Sequence, residues 1–188
     1  MDISFRFFKE NAPRPKNRAG FTLIEVLVVL AIIGIVSMIA IPGYLSWMPG
    51  IRLKTAAREL YANLQKAKLR AIKEGRPIRV RFNNGAGFYY FDLDNNNAQD
   101  TGELRINLAD YADVAFGSGN ATQNWNGTAT TQATVITFNA NGTANSGSVY
   151  ITNLNNPAEC YAVTSQISGS LKLRRYPGTT PFNKNNWD

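Results

Sequence analysis

Residues 26–41 form an uninterrupted run of apolar and small side chains, and one ionisable residue, Glu25, directly precedes it. With residues 21–24 added, the run predicts about 30 Å of α-helix, which matches the hydrocarbon thickness of a bilayer. A carboxylate inside hydrocarbon costs about 2.5–3.5 kcal/mol on insertion scales, so Glu25 needs a compensating partner. The run therefore predicts a membrane-spanning helix with one charge that must be paired.

The segment before the run is basic. Residues 1–20 hold five basic and two acidic side chains. Positive charge on the flank of a span favours the cytoplasmic side, which predicts that residues 1–20 are cytoplasmic and the rest of the chain is outside. A secretory signal peptide or an ordinary membrane anchor is the alternative. The apolar run is longer than the core of a signal peptide usually is, and no small-residue cleavage pattern follows. An ordinary anchor would not be expected to carry Glu25 four residues inside the segment that begins at Phe21.

The junction between the two segments reads Gly20-Phe21-Thr22-Leu23-Ile24-Glu25. It resembles the class III leader of type IV pilins and type II secretion pseudopilins. The resemblance implies that a prepilin peptidase cuts between Gly20 and Phe21 and methylates the new amino group of Phe21. Gly34 and Pro42 also stand where members of that family carry a helix-loosening glycine and proline, which implies a role in assembly for both.

The resemblance gives Glu25 a partner. After cleavage, the amino group of Phe21 lies about one helical turn from the Glu25 carboxylate, on the same helix face. The carboxylate can also pair with the Phe21 amine of a neighbouring subunit. Losing one member of a buried ion pair costs about 3–5 kcal/mol, so we predict that Glu25 serves assembly rather than catalysis. Implied partners are other pilin or pseudopilin subunits, the prepilin peptidase and an inner-membrane assembly platform.

The chain leaves the membrane through a second helical stretch. Pro42 should kink or loosen the helix, Tyr44 and Trp47 suit the membrane interface, and Pro49-Gly50 could break the helix near the surface. Residues 51–75 then predict an amphipathic helix that packs on a sheet and ends at Gly75. Its apolar stripe comprises Leu53, Ala57, Leu60, Leu64, Ala67 and Ala71.

The opposite side of this helix carries Lys66, Arg70 and Lys73. Charged residues on an exposed helix face usually contact solvent only, and a binding surface is the alternative.

Alternating and β-rich segments after residue 76 predict an antiparallel sheet domain. Residues 117–134 are polar and predict a long surface loop, and Asn141-Gly142 predicts a hairpin between two of the strands. The fold class is therefore α+β, with leader 1–20, long helix 21–75 (membrane or filament core 21–44) and extracytoplasmic domain 76–188. The predicted strands are 78–82, Phe88–Leu93, Leu104–Leu108, Val114–Phe116, Val135–Phe138, Val149–Thr152, Tyr161–Ser165 and Leu171–Tyr176.

This order of elements is similar to one branch of the family, the GspH/FimT type of minor pseudopilin and minor pilin. Three stretches carry the similarity, and the resemblance extends over nearly the whole chain that follows the leader. The branch implies a structural subunit of a type II secretion pseudopilus that supports protein secretion, or a minor type IV pilin for pilus assembly or DNA uptake. The stretches are FYYFDLDNNNAQDTGELRI, VITFNANGTANSGSVYIT and CYAVTSQISGSLKLRRY.

One turn is rich in oxygen ligands. Asp92 and Asp94 are followed by Asp100 and Glu103, a spacing that resembles a calcium loop. The sixth position is Asn97 rather than the glycine of an EF-hand. Because Asp and Asn also form turns through hydrogen bonds to the backbone, we predict a plain surface turn without metal, with calcium as the alternative.

A basic cluster lies near the C-terminus: Lys172, Arg174 and Arg175. On a strand, Lys172 and Arg174 point to one face and Arg175 to the other. In FimT-type minor pilins, DNA binding is assigned to a Gly-Arg-x-Arg motif at this point, whereas this chain has residues 169–172, Gly-Ser-Leu-Lys. Arg174 and Arg175 could compensate, because phosphate contacts need positive charge more than a fixed position. DNA is therefore a further candidate partner.

The composition argues against enzyme classes. The chain has no histidine, which removes the commonest general base and zinc ligand, and one cysteine, Cys160, which excludes an intramolecular disulfide. Cys160 is predicted to be a buried apolar side chain at a strand start, with a reactive thiol as the alternative. We expect no catalytic residue and no cofactor, and a single-pass protein of the bacterial inner membrane that becomes filament-associated.

Overall fold

The computed structural model describes residues 20–178 and 184–188. The predicted leader therefore lies outside the described residues apart from Gly20. Contacts divide the chain into two units, one that ends at Pro42 and one that spans Gly43–Asp188. Helix α1, Leu23–Glu74, supplies the described helix of the first unit and the N-terminal part of the second.

Helix α1 continues through Pro42 and through Pro49-Gly50, so the predicted break near the membrane surface is wrong. A proline inside a helix costs about 3 kcal/mol. The turns after Pro49 bury Leu53, Leu60 and Leu64, each worth about 1.5–3 kcal/mol, which together offset the cost of that proline. The predicted end is confirmed: Gly75 adopts φ +65°, and the Arg76 N–H donates to the Ala71 carbonyl, which closes the last turn.

In the first unit, no other described part of the chain packs on the apolar side chains of the helix. Of the described residues, α1 alone is long and apolar enough to cross a membrane, and no residue of its most apolar stretch is buried. The large apolar side chains all around this part of the helix are exposed, from Val26 at 47% to Met38 at 79%. A helix that is apolar on every face is typical of a membrane span or a helix packed among others.

The second unit adds two antiparallel four-stranded sheets to the helix. All eight predicted strands are found, with ends shifted by a few residues at most. The first sheet has the order β3-β2-β1-β5 and the second the order β4-β6-β7-β8. The strands are β1 (Ile78–Asn83), β2 (Phe88–Asp92), β3 (Arg105–Asn107), β4 (Val114–Phe116), β5 (Val135–Phe138), β6 (Gly147–Asn153), β7 (Cys160–Ser165) and β8 (Leu171–Tyr176).

The hairpin predicted at Asn141-Gly142 is only partly right. A tight turn forms there, closed by the Gly142 N–H on the Asn139 carbonyl, but β5 and β6 belong to different sheets. The Asn145 side chain takes the place of a strand partner, because its amide oxygen accepts from the Thr137 N–H at 2.7 Å. The chain then crosses to the second sheet.

The main core joins both sheets to α1. The six predicted residues of the helix stripe are all buried, and Ala56 and Asn63 are buried beside them. Asn63 is polar, and its amide donates to the Tyr89 hydroxyl at 2.8 Å, which satisfies both groups. The sheets contribute Ile78, Val80, Phe82, Tyr89, Phe91, Ile136, Phe138, Val149, Ile151, Tyr161 and Val163.

A smaller core lies on the other side of the second sheet. Trp187 packs with Tyr150 and Tyr176, and its indole N–H donates to the Gln123 carbonyl at 3.1 Å. Trp125 meets the Trp187 ring edge-on, with centroids 5.7 Å apart. The loop 117–134 is therefore more than a surface connection, because it covers this face of the sheet.

Candidate functional sites

The start of α1 is built by a local cap. The Thr22 hydroxyl accepts from the Glu25 N–H at 3.2 Å, and the Val26 N–H donates to the Thr22 carbonyl at 3.3 Å. Thr22 and Glu25 have the T-x-x-E spacing of a capping box, a signal from which the cap could have been predicted. Glu25 also lies in the first turn, where the helix dipole favours a negative charge.

Gly34 and Pro42 both lie inside α1. A Cβ placed on Gly34 would meet no atom within 4 Å in the described chain, so the fold of the single chain does not require glycine there. Phe21 is 83% exposed and precedes the helix. The predicted processing and assembly residues are thus all exposed in the described chain.

The acidic turn joins β2 to β3. Carboxylate oxygens of Asp92, Asp94 and Glu103 lie within 4.8 Å of one another. Asp100, the fourth predicted residue, falls outside this group, and its side chain accepts from the Asn96 amide. Three of the four predicted residues are therefore brought together.

Hydrogen bonds to carboxylates organise this turn. Glu103 accepts from the Leu93 N–H at 2.6 Å through Oε1 and from the Asp100 N–H at 3.1 Å through Oε2. Asp92 is fully buried and pairs with Arg81 at 2.5 Å. The local sequence predicted a surface turn at Asp92. Its burial was not foreseen, because Asp92 is the last residue of β2 and faces a guanidinium on β1.

The basic residues of β8 have different surroundings. Lys172 is exposed, whereas the Arg174 guanidinium lies 4.6 Å from the centre of the Trp125 ring. Arg175 donates to Glu159 at 2.6 Å, and this hydrogen bond raises the pKa of Arg175. Arg175 is thus already paired with a carboxylate of the protein. Its guanidinium is therefore less available to an external anion than the amino group of Lys172.

Arg175 also borders a cleft of about 480 Å³ between α1 and β8. Four cations and two carboxylates surround it, so its lining is net positive. The lining also includes the aromatic side chains of Trp47 and Tyr161. The charged residues are Lys54, Arg58, Arg174, Arg175, Glu159 and Asp188.

Cys160 is buried at the first position of β7, as predicted. Burial raises the pKa of its thiol to about 12, and the nearby Glu159 acts in the same direction. The thiol is therefore protonated at neutral pH, which removes the thiolate needed for nucleophilic chemistry.

Sequence relatives are pilins and pilin-like proteins. The Pilin-like protein PilA1 of Thermus thermophilus is 34% identical over 106 residues, which cover 55% of this chain and 63% of that protein. A Fimbrial protein of Pseudomonas aeruginosa is 44% identical over 63 residues, which cover 34% of this chain and 40% of that protein. The chain thus spans less than two thirds of the length of these relatives.

Solved structures with a similar arrangement include two minor subunits. The minor pseudopilin EpsH from the Type 2 Secretion System of Vibrio cholerae has a TM-score of 0.48 and 19% identity, and the match covers 65% of this chain and 95% of that one. The type IV minor pilin FimU of Pseudomonas aeruginosa has a TM-score of 0.48 and 17% identity, with 64% and 87% covered.

Two family models match the chain. The prokaryotic N-terminal methylation motif matches residues 15–41, which include the Gly20–Glu25 junction and most of the apolar run. The model described as Type II transport protein GspH matches residues 56–170, from the packed half of α1 to the turn before β8. This second match spans more than half of the sequence, and the chain therefore belongs to the GspH family.

Proposed function

We propose that the chain is a minor subunit of a type II secretion pseudopilus, which it enters or initiates through the first part of α1. The observation that carries the proposal is the apolar surface of this segment, none of which is buried by the described chain. Such a surface needs lipid before assembly and other helices after it. The methylation motif over the same residues supports a pilin-type partner.

Processing precedes assembly in this proposal. Prepilin peptidase cleaves between Gly20 and Phe21 and methylates the amino group of Phe21, while residues 1–20 face the cytoplasm. Before cleavage the chain crosses the inner membrane once, with the unit Gly43–Asp188 outside the cytoplasm. An assembly platform then extracts it into the filament.

Glu25 is the assembly contact in this proposal. Its carboxylate pairs with a Phe21 amine, in its own chain or in a neighbour, so that neither charge is left alone in an apolar surrounding. Glu25→Ala should be cleaved as usual, since the cut precedes the helix, yet be strongly depleted from sheared filaments. Asp110→Ala, which removes an exposed carboxylate far along the chain, is the matched control.

The test follows both proteins by mass spectrometry and by immunoblotting of the filament fraction. Depletion of Glu25→Ala alone, with correct cleavage of both variants, supports the proposal. Equal amounts of Glu25→Ala and Asp110→Ala in filaments would contradict the role of Glu25.

A second candidate, a FimT-type minor type IV pilin that takes up DNA, rests on the charge around β8. Four cations border the cleft beside this strand, and Lys172 adds an exposed charge to the strand. Cations near aromatic rings are suited to single-stranded nucleic acid, whose bases stack while its phosphates pair. The substitution of the Gly-Arg-x-Arg motif and the Glu159 ion pair of Arg175 argue against it.

DNA binding by the detergent-solubilised chain discriminates between the two candidates. Lys172/Arg174/Arg175→Ala removes three charges from β8, and Lys66/Arg70/Lys73→Ala removes three from the exposed side of α1 as a matched control. If the second candidate holds, the native chain and the control bind at micromolar concentration with a steep salt dependence, while the β8 variant is at least tenfold weaker. No binding at low salt leaves the secretion pseudopilin.

A further inference from the structure

We propose that the turn between β2 and β3, residues 92–103, is a calcium site. Its ligands are the carboxylates of Asp92, Asp94 and Glu103, joined by the side-chain oxygen of Asn95.

The first observation is the convergence of the three carboxylates. Their oxygens lie within 4.8 Å of one another, although Glu103 is separated from Asp94 by eight residues of the turn. Ca²⁺ binds oxygens at about 2.3–2.6 Å, so two ligands on opposite sides of one ion lie about 5 Å apart. The spacing therefore fits ligands of a single ion without rearrangement of the turn.

The second observation concerns hydrogen bonding rather than spacing, and it lies in two oxygens that have no donor. Asp92 is completely buried, and its Oδ2 already accepts from Arg81 and from the Asn97 N–H, yet its Oδ1 has no hydrogen-bond partner in the described chain. The side-chain oxygen of Asn95 is likewise enclosed without a donor. Two enclosed acceptors in one turn lack donors, and a cation held by the carboxylates would satisfy the Oδ1 of Asp92 and give the Asn95 oxygen a further ligand position.

The charge of the turn also favours a divalent cation. Of its four carboxylates, that of Asp92 pairs with the guanidinium of Arg81, whereas Arg76, which donates to the Leu93 carbonyl, is itself paired with Glu74 at 2.6 Å. The turn therefore keeps a negative charge that Ca²⁺ reduces. Carboxylate and amide oxygens are hard ligands, so calcium suits the turn better than zinc or copper, which prefer nitrogen or sulfur.

The other polar contacts of these side chains are compatible with coordination. Glu103 accepts from the Leu93 and Asp100 N–H groups, and Asp94 accepts from the backbone and side-chain nitrogens of Asn96. Each carboxylate oxygen of Asp94 and Glu103 keeps a second lone pair for an ion, and Asp92 offers its Oδ1. Water fills the remaining positions, since Ca²⁺ takes six to eight oxygens.

Calorimetric titration of the full chain in detergent with CaCl₂ tests the proposal, with MgCl₂ as the comparison. We expect one Ca²⁺ per chain with a dissociation constant of about 10⁻⁴–10⁻³ M, the range of extracellular modules, and weaker binding of Mg²⁺. Asp94→Asn, at an exposed position, should weaken Ca²⁺ binding at least tenfold while the circular dichroism spectrum stays native. Asp110→Asn makes the same charge change outside the turn and should bind as the native chain does.

Terbium luminescence gives a second readout. Tyr90 donates its hydroxyl to the Asn97 carbonyl, so it is positioned to sensitise Tb³⁺ in the turn. Emission should rise with Tb³⁺, fall on addition of Ca²⁺ and be lost in Asp94→Asn. The proposal is overturned if the folded native chain binds no Ca²⁺ at about 10 mM, tenfold above the weakest extracellular sites, or if Asp94→Asn and Asp110→Asn bind equally.

Discussion

Asp92 shows how one side chain can change the character of a turn. A carboxylate at the end of a strand is ordinarily solvated. Here Arg81 lies on β1, two positions from the residue that pairs with Asp92 on β2. The side chains of Arg81 and Asp92 therefore meet, at a distance of 2.5 Å. Both residues can be read from the sequence, but the alignment of β1 with β2 that brings them together cannot. Burial of a charge depends on such a cross-strand partner, so it could not be predicted from local composition.

The burial of Cys160 gives a prediction for thiol chemistry. With the pKa raised to about 12 from an ordinary value of 9.0, the thiolate fraction at pH 8 is about a thousandfold lower in the folded chain. We expect a disulfide reagent such as DTNB to react with the native protein at least about 100-fold more slowly than with the chain in denaturant.

The reaction is followed by absorbance at pH 8 with and without guanidinium. Because the unfolded chain has an ordinary thiol, it serves as the internal control. Rapid stoichiometric labelling of the native chain would contradict the burial of Cys160.

At the scale of elements, the packed half of α1 was predictable and its continuity was not. The helical spacing of Leu53, Leu60 and Leu64 gave the buried face directly. Local propensity then suggested a break at Pro49-Gly50, which the burial of the following turns overrides. The Asn141-Gly142 turn also formed as predicted, but the partner of β5 is β1, a pairing set by tertiary structure.

Two leucines of α1 provide a test of this packing. Leu60 is fully buried, and Leu69 is 65% exposed on the same helix. Leu60→Ala should lower the free energy of unfolding by about 2–5 kcal/mol through lost burial and a cavity. Leu69→Ala should change it by less than about 0.5 kcal/mol, as exposed positions do.

Urea unfolding monitored by tryptophan fluorescence measures both values. Similar destabilisation by the two substitutions would show that the Leu60 face of the helix is not packed against the sheets.

At the scale of the whole molecule, the fold class was predictable because each signal was local. Eight strands were identified from alternation and turn residues, and the family from a six-residue junction and three stretches. The division of the strands into two sheets was not predictable, because it depends on which strands pair, and strand pairing is not encoded in local periodicity. The spacing of the acidic turn did indicate the convergence of Asp92, Asp94 and Glu103, but not that Asp100 lies outside the group.

The exposed first half of α1 predicts how the whole molecule responds to a polar change. Val29 lies in the apolar run and is 50% exposed in the single chain. Val29→Asp places a carboxylate without a partner in an apolar surrounding, at a cost of about 3 kcal/mol in a membrane. We expect its incorporation into filaments to fall at least tenfold, while Val29→Leu assembles as the native chain does.

Filaments are sheared from cells and probed for both variants, with the total cell content as the reference. Native amounts of Val29→Asp in the filament fraction would refute packing of this surface against other helices.

The enclosed position of Cys160 has a practical consequence for following this molecule in a cell. Because it is the single cysteine of the chain and is buried, we expect that it need not be removed before labelling. A cysteine introduced at an exposed position such as Lys172 or Lys73 becomes the sole reactive thiol. One fluorophore or spin label can then test where the subunit sits and whether it leaves the membrane, in a protein otherwise unaltered.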